Sequence, residues 1–240
     1  MNIDTGKTVR ELVLEMPNAV RVFEKLGIDY CCGGSKTLQE ACTAANLSSD
    51  EVLESISDVE PATSSPADRN WQAESLADLV AHILSTHHKY TREEITRLGS
   101  LFEKVCSAHG KNHSELFQIR DIFQGLAQEL SSHMMREEMI LFPYIVRVEE
   151  SIVEKAPILP PPFGSVQNPV AMMVHEHDSA GQALKAMRQA SAGFAPPADA
   201  CASYQSLYNA LEGLEADLHQ HIHLENNILF PRAIEMEHGH

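Results

Sequence analysis

Two segments of this chain repeat one pattern of histidine, glutamate and apolar residues. The stretch "HMMREEMILFP", residues 133–143, returns as "HIHLENNILFP", residues 221–231, and both have the form His-x-x-x-Glu-x-x-Ile-Leu-Phe-Pro. All matched positions are separated by the same 88 residues. Apolar residues around each copy recur every three or four positions, which is typical of the buried face of a helix. The repeat therefore predicts two helices that each place a histidine and a glutamate in a core.

The polar residues of the repeat occupy positions where leucine is expected. His133 and Glu137 continue one face of leucines, and His221 and Glu225 continue the other. A buried ionised carboxylate without a partner is strongly destabilising, and a buried imidazole also needs a hydrogen bond. Two such pairs in one core therefore require a common compensating positive charge.

Two further predicted helices each offer one histidine at a similar offset. His88 and His177 are 89 residues apart, and each lies on an apolar helix face. A second face, through Val80 and Ile83, contains His87, so the spacing leaves the choice between His87 and His88 open. With His88, four imidazoles and two carboxylates meet in mid-bundle with pseudo-twofold symmetry.

This set of six donor side chains is typical of a binuclear metal site. Six ligands are too many for one tetrahedral zinc ion. They suit two metals that share bridging carboxylates and keep positions for small ligands. Imidazole and carboxylate donors with open positions favour non-haem iron over magnesium or calcium, and they also accept manganese or zinc. Glu129 and Glu176 lie near the predicted ligands His133 and His177. Each is a candidate for an outer group that orients an imidazole, and the alternative for each is an ordinary solvated carboxylate.

The long periodic segments predict an all-α protein. Four helices are predicted, at 74–108, 113–148, 168–193 and 199–235. Their connections are short except for one proline-rich loop, which favours an up-down antiparallel four-helix bundle. We divide the chain into a small helical cysteine-bearing domain at 1–60, a linker at 61–70 and the bundle at 71–240.

The charge of the chain excludes several classes of partner. It has 34 acidic and 18 basic residues, and the net charge of −16 argues against nucleic acid or an anionic membrane surface as a partner. No apolar run approaches the roughly 20 residues of a membrane span. The first residues lack the basic and apolar regions of a secretory signal. We therefore expect a cytoplasmic protein.

Five cysteines are present, and an odd number in a cytoplasmic protein argues against a disulfide framework. The stretch "DYCCGG", residues 29–34, places Cys31 and Cys32 side by side before two glycines. As thiolates they are soft ligands and reductants for iron or nitric oxide. The alternative is a pair of small apolar residues at a helix end. The other three cysteines are expected to be ordinary buried thiols: Cys42, Cys106 and Cys201.

Together, "DYCCGG", "SSHMMREEMILFP" and "HIHLENNILFP" resemble the motifs of the RIC family, the di-iron proteins for repair of iron-sulfur clusters. The resemblance covers nearly the whole chain and implies a hemerythrin-like bundle after a short cysteine-bearing domain. It places the paired thiols of the family on Cys31 and Cys32, and it selects His88 over His87. The iron ligands and bridging carboxylates that it implies are His88, His133, His177, His221, Glu137 and Glu225.

The resemblance implies a stress protein that restores iron-sulfur clusters damaged by nitric oxide or oxidants. It implies two non-haem iron ions per chain with carboxylate and oxo bridges, nitric oxide or oxygen as small ligands, damaged iron-sulfur proteins as partners, and a homodimer. The alternatives are a hemerythrin-type oxygen or nitric oxide carrier or sensor, and a nitric oxide reductase. The paired thiols favour repair over a pure carrier. The sequence does not decide whether the chain is an enzyme.

Overall fold

The computed structural model describes residues 4–57, 69–158 and 160–239. Within these ranges the regular structure is helical, and no strand is present. The predicted all-α fold, a helical bundle preceded by a small helical region, is confirmed. Positions 61–68 of the predicted linker lie outside the described residues.

The N-terminal region contains short helices around its own apolar core. Their bounds are α1 (Val9–Glu15), α2 (Ala19–Leu26), α3 (Leu38–Ala45) and α4 (Ser49–Ser57). Capping boxes start two of them, because Thr8 accepts from the backbone N–H of Glu11 and Thr37 from that of Glu40, while each glutamate accepts in return. The core of this region includes the fully buried ring of Phe23.

Four long helices form the rest of the described chain. Helix α5 consists of Leu76–Ile83, the π-helical Leu84–His88 and Lys89–His109. Helix α6 consists of Glu115–Arg136, the π-helical Glu137–Leu141 and Phe142–Glu154. Helix α7 is Gln167–Ala190. Helix α8 consists of Ala202–His223, the π-helical Leu224–Leu229 and Phe230–His238. Each of the four lies close to its predicted position, with ends that differ by a few residues.

The bundle has two apolar cores with a polar layer between them. One core contains Leu98, Leu126, Leu184 and Leu214, and the other contains Ile83, Ile145, Val170 and Leu229. Along every bundle helix, the predicted ligand histidine falls between the residues of one core and those of the other. The polar layer is therefore shielded by apolar side chains at both ends.

Three of the four long helices widen into a π-helical segment at this layer, whereas α7 is α-helical throughout. The segments end at His88, begin at Glu137 and surround Glu225. Such segments are frequent at functional sites because the extra residue shifts side chains around the helix axis. Sequence periodicity did not predict them. None of the described helices combines the length and the hydropathy that crossing a lipid bilayer demands.

Candidate metal centre

The six predicted ligands meet in the polar layer of the bundle, and all six are buried. Their ligand atoms form two groups, in each of which every atom lies within 4.8 Å of the others. The first group is His88, Glu137, His221 and Glu225. The second group is His133, Glu137, His177 and Glu225. Both glutamates belong to both groups, as bridging carboxylates would.

Glu137 divides its two oxygens between the groups. Its Oε2 lies 3.3 Å from Nε2 of His88, and its Oε1 lies 3.3 Å from Nε2 of His133. Neither oxygen has a hydrogen-bond partner among the described residues, although the side chain is fully buried. A buried carboxylate in this state needs a cation.

Glu225 is arranged in the same way from the opposite side. Its Oε1 lies 3.0 Å from Nε2 of His221, and its Oε2 lies 3.1 Å from Nε2 of His177. Burial raises the pKa of Glu225, but the nearby imidazoles lower it by more, so that the net pKa is well below its ordinary value. Glu225 is therefore an ionised carboxylate in a buried site.

Two imidazole nitrogens of the second group lie close together. Nε2 of His133 and Nε2 of His177 are 3.1 Å apart. Each ring uses Nδ1 for an oxygen acceptor, Glu176 for His133 and Asn226 for His177. Each Nε2 is therefore the nitrogen that is directed into the cluster. Two inward-facing Nε2 atoms beside two shared carboxylates form a donor set that fits a bound metal.

Carboxylates orient two of the four histidines from outside the cluster. Nδ1 of His88 lies 2.7 Å from Oε1 of Glu138, and Nδ1 of His133 lies 2.8 Å from Oε2 of Glu176. An arginine pairs with each of these carboxylates. Because a carboxylate only accepts, each Nδ1 donates and each Nε2 is free to bind a metal. Glu176 thus orients an imidazole, as the sequence suggested, whereas Glu138 was not among the candidates.

The other outer candidate, Glu129, lies away from the imidazoles. It is exposed and accepts a hydrogen bond from Ser179 at 3.3 Å. The structure therefore brings Glu176, but not Glu129, to the metal cluster.

An asparagine orients His177 and links it to the N-terminal region. Oδ1 of Asn226 lies 2.8 Å from Nδ1 of His177, and its Nδ2 donates to the carbonyl of Cys31 at 3.3 Å. The bond to a carbonyl requires the amide nitrogen, so the oxygen must face the imidazole. A two-bond path therefore joins the cysteine pair to one ligand of the cluster.

His87 is buried but lies outside both groups. Its ring is nearly parallel to that of His221, with centroids 5.5 Å apart, and its Nδ1 lies 2.9 Å from Asp217. Nδ1 of His221 has no hydrogen-bond partner among the described residues. Of the two histidines that periodicity could not separate, the structure brings His88 into the cluster.

Two phenylalanines at matched positions of the repeat cover the cluster. Phe142 stacks on His88 with ring centroids 5.7 Å apart, and Phe230 stacks on His177 at 6.0 Å. Both phenylalanines are almost completely buried. They fix the imidazole planes and keep water from this side of the site.

The adjacent cysteines lie against the bundle beside His177. Their Sγ atoms are 3.9 Å apart, and Asp29 accepts from both backbone N–H groups at 3.2 and 2.9 Å. Sγ of Cys32 donates to the carbonyl of His177 at 3.5 Å. The hydrogen bond with Cys32 and burial raise the pKa of Cys31 well above its ordinary value. Cys31 is therefore a protonated thiol in this position.

The contact between the two regions depends on residues that sequence reasoning did not select. Asn227 donates to the carbonyl of Tyr30 at 3.0 Å, and the ring of Tyr30 packs edge-on against His223 at 5.5 Å. A Cβ on Gly34 would come within 3.0 Å of Asn227 and 3.1 Å of the Tyr30 carbonyl, so glycine is needed at this close approach. The sequence does contain a difference that indicates these residues. The two copies of the repeat differ after the shared glutamate, because residues 137–139 read "EEM" and residues 225–227 read "ENN".

Of the three cysteines without a predicted role, two are buried and one is not. Cys42 and Cys106 are buried, as expected. The expectation was wrong for Cys201, which is exposed at the N-cap position of α8.

Comparison with known proteins identifies both regions. Residues 79–233 match the hemerythrin HHE cation binding domain, and residues 5–60 match a domain of unknown function, DUF542. The chain is 35% identical to the iron-sulfur cluster repair protein YtfE of Enterobacter sp. (strain 638), over 95% of this chain and 96% of the relative. It is also 35% identical to YtfE of Escherichia coli O81 (strain ED1a), over the same shares. Identity to YtfE of Pectobacterium carotovorum subsp. carotovorum (strain PC1) is 34%, over 96% of this chain and 98% of the relative.

These matches cover nearly all of the chain and agree with the buried cluster of histidines and glutamates in the bundle. The cation-binding domain also agrees with the need of that cluster for a positive charge. The chain belongs to the hemerythrin-domain family of iron-sulfur cluster repair proteins.

Proposed function

We propose that this protein repairs iron-sulfur clusters damaged by nitrosative or oxidative stress, and that it does so with two non-haem iron ions held in the bundle. One ion is assigned to His88 and His221, and the other to His133 and His177. Glu137 and Glu225 bridge the two positions. The printed names of the relatives support the repair function, and the cation-binding family supports the metal.

The observation that supports this assignment best is the sharing of both glutamates by both groups. Each carboxylate directs one oxygen to each metal position, with oxygen–nitrogen distances of 3.0–3.3 Å. One mononuclear ion would leave half of these donors buried without a partner. Imidazole and carboxylate donors with open positions suit iron.

Iron bound at this site supplies electrons, open positions for nitric oxide, and transferable metal. The residues of the chain prepare the site in two ways. Glu138, Glu176 and Asn226 hold three imidazoles with Nε2 directed inward. Phe142 and Phe230 exclude water from the imidazole faces.

The cysteine pair is assigned to exchange with the damaged cluster or with nitric oxide. Cys32 is partly exposed and touches the backbone of His177, so it lies between the metal site and the surface. Thiols are suitable ligands for iron in transit. A pure oxygen carrier has no use for a dithiol at this place, and we therefore favour repair over the carrier. We assign the protein to the cytoplasm, with damaged iron-sulfur proteins as its partners.

Iron and protein quantification on the purified full chain tests the metal content. We expect about two iron ions per chain, with Mössbauer parameters of a coupled pair. A single tightly bound zinc ion would contradict the binuclear assignment.

A transfer experiment tests the function itself. Iron-loaded protein is mixed with a hydratase whose iron-sulfur cluster has been damaged by nitric oxide, and recovered activity and iron left on the protein are followed together. We expect recovery with loss of iron or removal of nitric oxide, and no recovery with the Cys31→Ser, Cys32→Ser double variant at equal iron content. Reversible oxygen or nitric oxide binding without any recovery would support the carrier instead.

A further inference from the structure

Four metal-binding side chains meet at the end of the bundle that the proposed function does not use. His109 and His113 flank the connection between α5 and α6, and Asp199 and Cys201 belong to the connection between α7 and α8. His109 is 21 residues after His88, so this place is about 30 Å along α5 from the metal cluster. It is a separate location.

The four side chains are already in contact in pairs. Nε2 of His109 lies 3.2 Å from Sγ of Cys201, and Nε2 of His113 lies 3.0 and 3.1 Å from the two oxygens of Asp199. One ligand atom from each of His109, His113 and Asp199 lies within 4.8 Å of the other two. The two histidine rings pack edge-on against the ring of Tyr204 at 5.4 and 5.5 Å, which restricts their rotation.

The separations within the two pairs are close to those of a tetrahedral metal site. With zinc–nitrogen bonds of about 2.0 Å and zinc–sulfur bonds of about 2.3 Å, ligand atoms lie roughly 3.3 to 3.6 Å apart. Cys201 contacts only His109 of the other three, and binding of a metal requires its exposed side chain to turn towards His113 and Asp199. Two imidazoles, one carboxylate and one thiolate form a donor set suited to a borderline-soft divalent cation.

We propose that His109, His113, Asp199 and Cys201 form a second metal site, which binds one divalent transition-metal cation of the zinc class. The ion joins the α5–α6 connection to the α7–α8 connection and stabilises this end of the bundle by binding only the folded chain. The site is mononuclear and independent of the binuclear cluster.

Two local features prepare the ligands. Cys201 is exposed at the N-cap position of α8, so its thiol is accessible to a cation from solvent. Nδ1 of His113 lies 3.1 Å from Glu115, which holds its Nε2 towards Asp199. A simple ion pair between His113 and Asp199 would require neither a nearby His109 nor the contact between His109 and the Cys201 thiol.

Cobalt(II) is the probe that tests the site, because thiolate ligation gives a charge-transfer band in the near ultraviolet. The purified full chain, with its binuclear site loaded with iron, is titrated with Co²⁺, and we expect a thiolate band that saturates at one ion per chain. Cys201→Ser keeps a good N-cap and should fold, but it should abolish the band. His109→Gln should weaken Co²⁺ binding at least about 100-fold, since even outer partners of metal ligands contribute about 10- to 100-fold.

Two controls separate this site from other sources of the signal. Lys111→Ala, in the same connection but without a ligand, should bind Co²⁺ as the unchanged chain does. The Cys31→Ser, Cys32→Ser double variant should keep the band, and its loss there would assign the cobalt to the N-terminal thiols and overturn the proposal. A titration without a thiolate band, or one unchanged in Cys201→Ser, would show an ordinary ion pair only. Addition of Zn²⁺ should raise the unfolding temperature of the unchanged chain and leave that of Cys201→Ser where it was.

Discussion

The two halves of the bundle, α5–α6 and α7–α8, supply the same ligands but support them differently. Each half contributes two histidines and one glutamate at offsets of 88 or 89 residues. Behind His88 stands the carboxylate of Glu138, whereas the matching position behind His177 is the neutral Asn226. The first half thus turns a charged residue towards its ligand, and the second half uses an amide that also binds the N-terminal region.

The second pair of ligands shows the same contrast. His133 donates to Glu176, which precedes His177 in sequence. The matching position before His88 is His87, and it stacks on His221 instead of accepting a hydrogen bond from it. Both ligands of the first half are therefore supported by carboxylates, and neither ligand of the second half is.

The two halves differ in the carboxylates that support their histidines, but the two metal positions do not differ in this respect. Each position combines one ligand of the first half with one of the second, because His88 is grouped with His221 and His133 with His177. Each position therefore has one imidazole whose basicity is raised by a carboxylate and one whose basicity is not. The second half can change its outer residues to bind the cysteine region while the charge at the two positions stays balanced.

The largest effect is expected from substitution of the bridging glutamates. It tests whether the glutamate of each half contributes equally to both metal positions. Glu137→Gln and Glu225→Gln should each weaken binding of both ions by more than about 100-fold, because each carboxylate serves both positions. Iron content after dialysis against a chelator measures this. Loss of one ion in one variant and the other ion in the second would contradict bridging.

The Glu225 variant also tests the metal-free chain. Because the neighbouring imidazoles lower the pKa of Glu225 well below its ordinary value, Glu225→Gln should lower the free energy of unfolding of the apo protein at neutral pH, as denaturant unfolding measures. Unchanged or raised stability would mean that the imidazoles do not compensate this charge without metal.

An intermediate effect is expected when the outer residues of the two halves are exchanged. Glu138→Gln should weaken metal binding about 10- to 100-fold and leave the N-terminal region in place. Asn226→Asp has the same shape as the original, but it removes the donor to the Cys31 carbonyl and should release that region. Chelator competition measures the first property, and the alkylation rate of Cys32 measures the second. Equal alkylation rates of Cys32 in the two variants would contradict the proposed difference between the two halves.

A smaller effect on the metal and a clear one on the thiols is expected at Tyr30. Tyr30→Ala removes the ring that packs against His219 and His223, so the cysteine region should separate while iron remains bound. Faster alkylation of Cys31 and Cys32 at unchanged iron content is the expected result. Lys25→Ala, an exposed residue of the same region, is the matched control and should change neither property.

Spacing predicted five of the six candidate ligands, because each replaces an apolar residue on the inner face of a helix. It left the choice between His87 and His88 open, and the resemblance to the repair family selected His88. The fold follows from the same periodicity. The outer residues depend instead on which helix faces which, and this is not contained in the period of one helix. Glu138 and Asn226 each follow a bridging glutamate by one residue. In the π-helical segments, the glutamate and the residue after it both face ligand histidines. The π-helical segments have no distinctive amino-acid composition from which they could be predicted.

One interaction outside the metal cluster is repeated in both halves. It involves a glutamate near the end of α6 and another near the end of α8. Glu149 accepts from the backbone N–H groups of Leu76 and Ala77 at 2.7 and 2.8 Å. Glu237, 88 residues later, accepts from the backbone N–H of Val166 at 3.0 Å. Each glutamate thus caps the start of the first helix in its own half, which satisfies donors that the helix cannot use.

The smallest effect is expected from this cap, as a pH dependence of stability. Burial raises the pKa of Glu237, but the hydroxyls of Ser165 and Tyr144 and the N–H of Val166 lower it by more. Because its pKa is depressed in the folded state, the stabilisation is present above the unfolded pKa and is lost as pH falls through the folded value. Glu237→Gln should therefore cost about 1 kcal/mol at neutral pH, and this cost should shrink as pH falls through the depressed folded pKa, where the original residue becomes protonated too. Denaturant unfolding of both metal-free chains from neutral pH into the acid range gives this difference, and the exposed neighbour Glu235→Gln should show none. A cost that stays the same at low pH would mean that the shape of the side chain, not its charge, holds the two helices of this half together.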